Sequence, residues 1–141
     1  MRLWHYKLIP YLPNSQLLAQ WRELNSIFKK QDHHILINYI YEYPKDDLLG
    51  YTYLLIEEML KRKIKINSTF NCVYYFEGKF LSDKVKAPCE PFKNHHNFKY
   101  LIQCYYNLQE KYDRGQKDFT EEVFNKLNQF FLEESMCNNP F

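Results

Sequence analysis

The stretch LLAQWREL, residues 17–24, sets a guanidinium and a carboxylate side by side as Arg22 and Glu23. A carboxylate in such a place can move protons or steady a developing positive charge, and the Arg can hold an anionic group such as a phosphate. The same pair is also what an ordinary solvated helix face carries. What else comes near decides between the two. The other side chains with ligand or nucleophile chemistry are the pairs His33-His34 and His95-His96 and the cysteines Cys72, Cys89, Cys104 and Cys137. Adjacent histidines point in different directions, no His or Glu partner follows at helical spacing, and no C-x-x-C occurs. No metal and no cofactor is therefore expected. The cysteines are expected to be free thiols of a cytoplasmic protein.

A helix must position the pair. Leu17, Trp21, Leu24 and Phe28 recur at i, i+4, i+7 and i+11 and predict a helix running to about Lys30, capped by Asn14 or Ser15. Arg22 then points nearly opposite the apolar stripe. Glu23 lies about 130° from the stripe's centre, near Ala19, Gln20 and Ile27, so both belong at or near the surface. Ahead of the helix, Pro10 and Pro13 favour an extended arm. Glu23 stands about 12 Å along the helix from Ser15, whereas the arm can span over about 40 Å. The arm can therefore fold back and carry the N-terminus to Glu23.

The rest of the chain is also mostly helical in pattern. The segment HHILINYIYEY, residues 33–43, predicts an extended, mostly buried connection. Pro44 precedes a second helix with Asp46 and Asp47 in its first turn and Lys61, Arg62 and Lys63 in its last, the charge order that the helix dipole favours. Leu48, Leu49, Leu55, Ile56, Met59 and Leu60 give it a broad apolar surface. Residues 64–96 include Gly78, Pro88 and Pro91, and FNCVYYFEGKF within them predicts a hairpin or irregular loop. A third helix is predicted over about 97–113. A fourth is predicted from Asp118, as cap, with Glu121 completing a capping box and Phe119, Val123, Leu127 and Phe130 facing inward. The closing CNNPF should fray. The expectation is a mainly α protein, one compact domain over residues 1–141 with about four helices, long irregular connections and an extended N-terminal arm.

Charge narrows the partners without naming one. The 141 residues hold 19 Lys+Arg against 17 Asp+Glu, a net +2 that is too mild to require nucleic acid by itself. Residues 1–66 carry 10 basic and 7 acidic side chains, residues 67–141 carry 9 and 10, so an anionic partner should prefer the first half. No run is long enough to span a membrane, and the start, MRLWHYKLIP, is broken by Lys7 and Pro10 and is not a signal peptide. Thirteen Tyr and eleven Phe exceed what a plain helical core needs, and a few exposed ones can stack on bases.

LLAQWREL, followed by Phe28, closely resembles the first-helix signature of the pyrimidine-dimer DNA glycosylases of the phage endonuclease V type. The opening MRLW, the His-containing DHHILINY and the helix ending EEMLKRKIKI also resemble that family, in the same order over roughly residues 1–66. Beyond about residue 70 little matches, and the chain looks closer to bacterial relatives that share the MRLW start. The resemblance implies a helical glycosylase that also cleaves abasic sites, with the α-amine of the first residue as nucleophile and a first-helix carboxylate essential. Mapped by motif, the carboxylate is Glu23. Arg2 is too bulky for ordinary methionine removal, which places Met1 at the nucleophile position and Arg2 on the family's following Arg. Arg22 would grip a phosphate flanking the lesion, with Lys29, Lys30 and His34 as further backbone contacts. Ser26 stands where the phage enzyme's helix has another basic residue. The implied partner is damaged double-stranded DNA.

Two function classes follow. One is a DNA repair glycosylase with lyase activity through Met1 and Glu23. The other is a non-catalytic binding protein that keeps the fold, with Glu23 paired to Arg22 or Lys30. A third role, stacking on single-stranded RNA, would use surplus tyrosines such as Tyr105.

Overall fold

The computed structural model describes residues 2–77 and 88–138. Among them the chain is mainly α, with five α-helices: α1 Asn14–Lys29, α2 Lys45–Lys61, α3 Thr69–Tyr75, α4 Phe98–Asp113 and α5 Glu121–Asn138. Short 3-10 helices cover Tyr6–Tyr11 and Asn38–Glu42. The stripe of α1 is buried as its spacing requires, with Leu17, Trp21, Leu24 and Phe28 at most 6% exposed. In α2 the apolar surface packs against the arm and α1, except that Leu60, next to the helix end, is 61% exposed.

The arm is not extended throughout. From His5 it winds into the 3-10 helix, whose first turn is closed by Lys7 N–H donating to the His5 ring at 3.1 Å. Pro10 is tolerated there because so short a helix has few amide donors to lose. The arm is tied down at its far end by Arg62 of α2. That guanidinium donates to Leu12 O, Pro10 O and Asn14 Oδ1 at 2.6–2.9 Å, and its Nε meets Glu58 Oε2 at 2.7 Å.

The predicted caps exchange roles. Neither Asn14 nor Ser15 caps α1, because Pro13 takes the cap position with extended backbone. Ser15 instead donates its N–H and its Oγ–H to the Asp118 carboxylate, each at 2.7 Å. Asp118 thus caps the first long helix from the other end of the chain and does not start the last one. Thr120 does that, its Oγ1 accepting from Val123 N–H at 3.3 Å. Burial would raise the Asp118 pKa, but the bonds from Ser15 and Gln116 outweigh it and hold the carboxyl below its usual value.

Two connections also differ from the sequence pattern. In residues 33–43, Ile37 and Ile40 are buried, while Ile35 and Leu36 stand in an exposed turn, so the segment is wound and only half buried. The start of FNCVYYFEGKF is helical, as α3, and its last residues, 78–80, lie outside the described residues. So does the end of CNNPF from residue 139, while Cys137 and Asn138 extend α5. The segment from Pro88 to His96 returns across α2: Pro88 O sits where a Cβ on Gly50 would be, and Phe92 N–H donates to Asp47 Oδ2 at 2.8 Å.

Candidate active site beside the N-terminal arm

Glu23 projects from α1 toward residues 2–4 of the arm. Its Oε2 accepts Gln20 Nε2–H at 3.0 Å and faces Arg2 N–H at a long 3.4 Å. Among the described residues Oε1 has no hydrogen bond, and no ion pair joins Glu23 to Arg22 or Lys30. The side chain is half-buried, and that desolvation raises its pKa above the ordinary Glu value. The Arg2 N–H, Gln20 and the Arg22 charge pull the other way without cancelling it.

A cleft of about 240 Å³ opens here. Arg2, Trp4, Gln16, Gln20, Glu23 and Leu36 line one side, and Asn107 and Lys111 of α4 the other. The Arg2 guanidinium lies 5.6 Å from the centre of the Tyr100 ring, a cation–π contact that directs it along the cleft wall. Among the described residues Glu23 is thus the one acidic side chain in a cleft whose lining also includes Arg2 and Lys111.

Arg22 points the other way round α1, exposed, into a second groove of about 390 Å³. Lys29 lines that groove, and so does Lys65, which follows α2. Ser26, the position without the expected basic side chain, lies in the same groove and folds its Oγ–H onto Arg22 O at 3.2 Å. Lys65 restores by fold the positive charge that Ser26 does not carry. Lys30 is exposed at the end of α1. His34 is exposed in the turn after it, with its ring accepting from Leu36 N–H at 3.2 Å. The structure thus gathers Arg2 and Glu23 in one cleft and Arg22 and Lys29 in the next. Lys30 and His34 line neither. Met1 lies outside the described residues.

Four contributors were not foreseen: Gln20, Lys65, Asn107 and Lys111. Gln20 had a signal, a polar residue three positions before Glu23 on the border of the apolar stripe. Lys111 and Asn107 had none, because only the tertiary fold brings α4 across from α1. Tyr105, offered as a stacking platform, is buried with its ring 3.9 Å from that of Phe131, so it is part of the core.

A larger cavity, about 550 Å³, lies between Phe28, Lys45, Phe70 and Tyr74, and none of the candidate residues lines it. Among the described residues no three His, Cys, Asp or Glu side chains gather as a metal-binding set. The four cysteines are free, and among the described residues no helix is long and apolar enough to cross a membrane.

The fold and its cleft define a helical protein that presents a first-helix carboxylate to its own N-terminal arm, in a cleft that cationic side chains also line. The pyrimidine dimer DNA glycosylase family matches residues 1–71, half of the chain, and the protein belongs to that family. Its general class is that of the DNA repair glycosylases. No curated protein and no solved structure matches it.

Proposed function

We propose that the protein excises damaged bases from double-stranded DNA and nicks the resulting abasic site, using the α-amine of Met1 as nucleophile and Glu23 as the working carboxylate. The carrying observation is the meeting of Glu23 Oε2 with the Arg2 N–H at 3.4 Å. Met1 is joined to Arg2 by one peptide bond, so its amine is within about 4 Å of chain from that point.

An α-amine has a pKa near about 8, so an appreciable neutral fraction exists at neutral pH. Its lone pair attacks C1′ of the damaged nucleotide, and the base leaves with the glycosidic electron pair and takes up a proton. Opening of the sugar ring gives an imine between Met1 N and C1′. Removal of a C2′ proton then expels the 3′ phosphate and breaks the strand. Glu23, desolvated and with a raised pKa, faces the cationic sugar and relays the protons. Arg2 sits beside it in the cleft. Arg22 and Lys29 grip backbone phosphates in the adjoining groove, with Lys30 and His34 as more distant contacts. The damaged nucleotide leaves the stack to reach the cleft, which weakened stacking makes easier. Pyrimidine dimers are the lesion that the family name specifies.

Borohydride trapping on a duplex with one abasic site tests this. The expected result is a covalent protein–DNA adduct at Met1 that N-terminal acetylation abolishes. An intact duplex with no adduct overturns the amine chemistry and leaves a helical DNA-binding protein with an inert Glu23.

A further inference from the structure

We infer that Gln20 is a positioning residue of this site: its buried side-chain amide ties the N-terminal arm and the Glu23 carboxylate into one register. The inference rests on the amine-and-carboxylate reading above and extends it to a side chain that touches none of the reacting atoms.

Gln20 is 1% exposed, and its amide is fully used. One Nε2 hydrogen goes to Arg2 O at 3.1 Å and the other to Glu23 Oε2 at 3.0 Å. Oε1 accepts from Trp4 N–H at 2.8 Å and lies 3.0 Å from the Tyr51 hydroxyl, which also donates to Trp4 O at 2.7 Å. The side chain therefore pairs with residues 2 and 4 as the backbone of a neighbouring strand would. Its orientation is fixed. A half-turn of the amide would set NH₂ against the Trp4 N–H and the oxygen against two acceptors.

The consequence is coupling. The arm cannot slide by a residue, and Glu23 cannot swing away, without breaking the same amide's bonds. A Glu at this position would be isosteric yet would set a second carboxylate against Arg2 O and Glu23. Only a neutral amide meets all four neighbours. Tyr51, fully buried in α2, holds the far side of that amide against the core.

Gln20→Ala and the isosteric Gln20→Glu test the coupling. Folding would be checked by circular dichroism, the Trp4 amide by hydrogen exchange and the Glu23 carboxyl by ¹³C NMR titration. Trapping on the abasic duplex would be followed against pH. The charges that act on Glu23 are those of the N-terminal amine and Arg22 of α1; Arg2 of the arm and Lys111 of α4 line the same cleft, and none of them changes. Gln20→Ala is expected to speed Trp4 exchange at least about tenfold and move the Glu23 titration upward. It should also slow adduct formation about tenfold or more, with duplex affinity within about twofold. Gln20→Glu is expected to keep the fold and move the trapping profile to higher pH, because a second anion holds protons on both Glu23 and the amine. Parent-like exchange and titration in a folded Gln20→Ala chain would overturn the coupling. If the parent forms no adduct while both NMR readouts move as stated, the coupling stands and the amine chemistry fails.

Discussion

Glu23 carries its charge where burial penalises it, and the surrounding donors offset only part of that penalty. Replacing it by Gln removes the desolvated charge and keeps the shape. Trapping and strand cleavage by Glu23→Gln should fall about 10²–10⁴-fold, the usual contribution of a positioned acid–base group. Its melting temperature should hold or rise, and calorimetry beside the trapping assay checks both. A marked loss of stability would instead make Glu23 a structural anchor. The second groove makes a separable prediction. Arg22, Lys29 and Lys65 face it as exposed cations, so each change to Ala should weaken duplex binding irrespective of lesion. Each should also reduce the slope of log affinity against log salt by about 1. Salt titrations of a fluorescent duplex measure this, and an unchanged slope for Lys65→Ala would remove that residue from the interface.

At the scale of elements, the position of the arm decides whether Glu23 has a neighbour at all. Gln20 holds the arm's beginning, and Arg62 holds its end with two bonds to the arm, one to Asn14 at the start of α1 and one to Glu58. Arg62→Met keeps much of the stem's packing and strands Leu12 O and Pro10 O. It should cost about 2–3 kcal/mol, the range for breaking charged hydrogen bonds to partly buried acceptors. Urea unfolding gives that figure, and a change under about 0.5 kcal/mol would show that the arm holds without it. The helices that place Glu23 were legible because Leu17, Trp21, Leu24 and Phe28 bury one face, and a buried face imposes its period on the sequence. The bend of the arm was not, because its proline pattern suits a 3-10 turn as well as an extended run. The caps misled for a related reason. Ser15 and Asp118 are both good capping types, and the sequence cannot express that they cap together across 103 positions. The site was legible where it rests on α1 and illegible where α4 completes it, since Lys111 and Asn107 carry no local sign of their neighbours.

Over the whole molecule, the two halves of the chain meet behind the arm in a buried polar network. His96 Nδ1 accepts from Tyr6 N–H at 3.1 Å, so Nε2 holds the ring hydrogen and donates to the Tyr39 hydroxyl at 2.6 Å. The Tyr100 hydroxyl donates to Leu3 O, and the His5 ring lies 5.2 Å from that of His96. Both histidines are almost wholly buried, and burial lowers His5 to about 4 and His96 to about 2. The unfolded chain takes up both protons near pH 6.5, while the native chain refuses them down to about pH 4. Between those limits the unfolded state binds more protons, so stability is complete above pH 6.5 and falls as the solution is acidified. Glu23 works in the opposite sense just above its ordinary value, because its raised pKa makes the native state the better proton binder there. Asp118, held low, adds a loss only below the usual carboxylate range. Two histidines outweigh one partly exposed carboxylate, and the net loss from pH 7 to pH 5 should be on the order of 3 kcal/mol. Urea midpoints across that interval measure it, and His96→Gln should flatten the slope by removing one of the two titrating groups. A stability that stays level to pH 5 in the parent would mean that His5 and His96 are both charged in the native state. The Tyr6 N–H bond to His96 could not then exist, and the arm that brings Arg2 to Glu23 would have to be held without it, by Gln20, Tyr51, Tyr100 and Arg62.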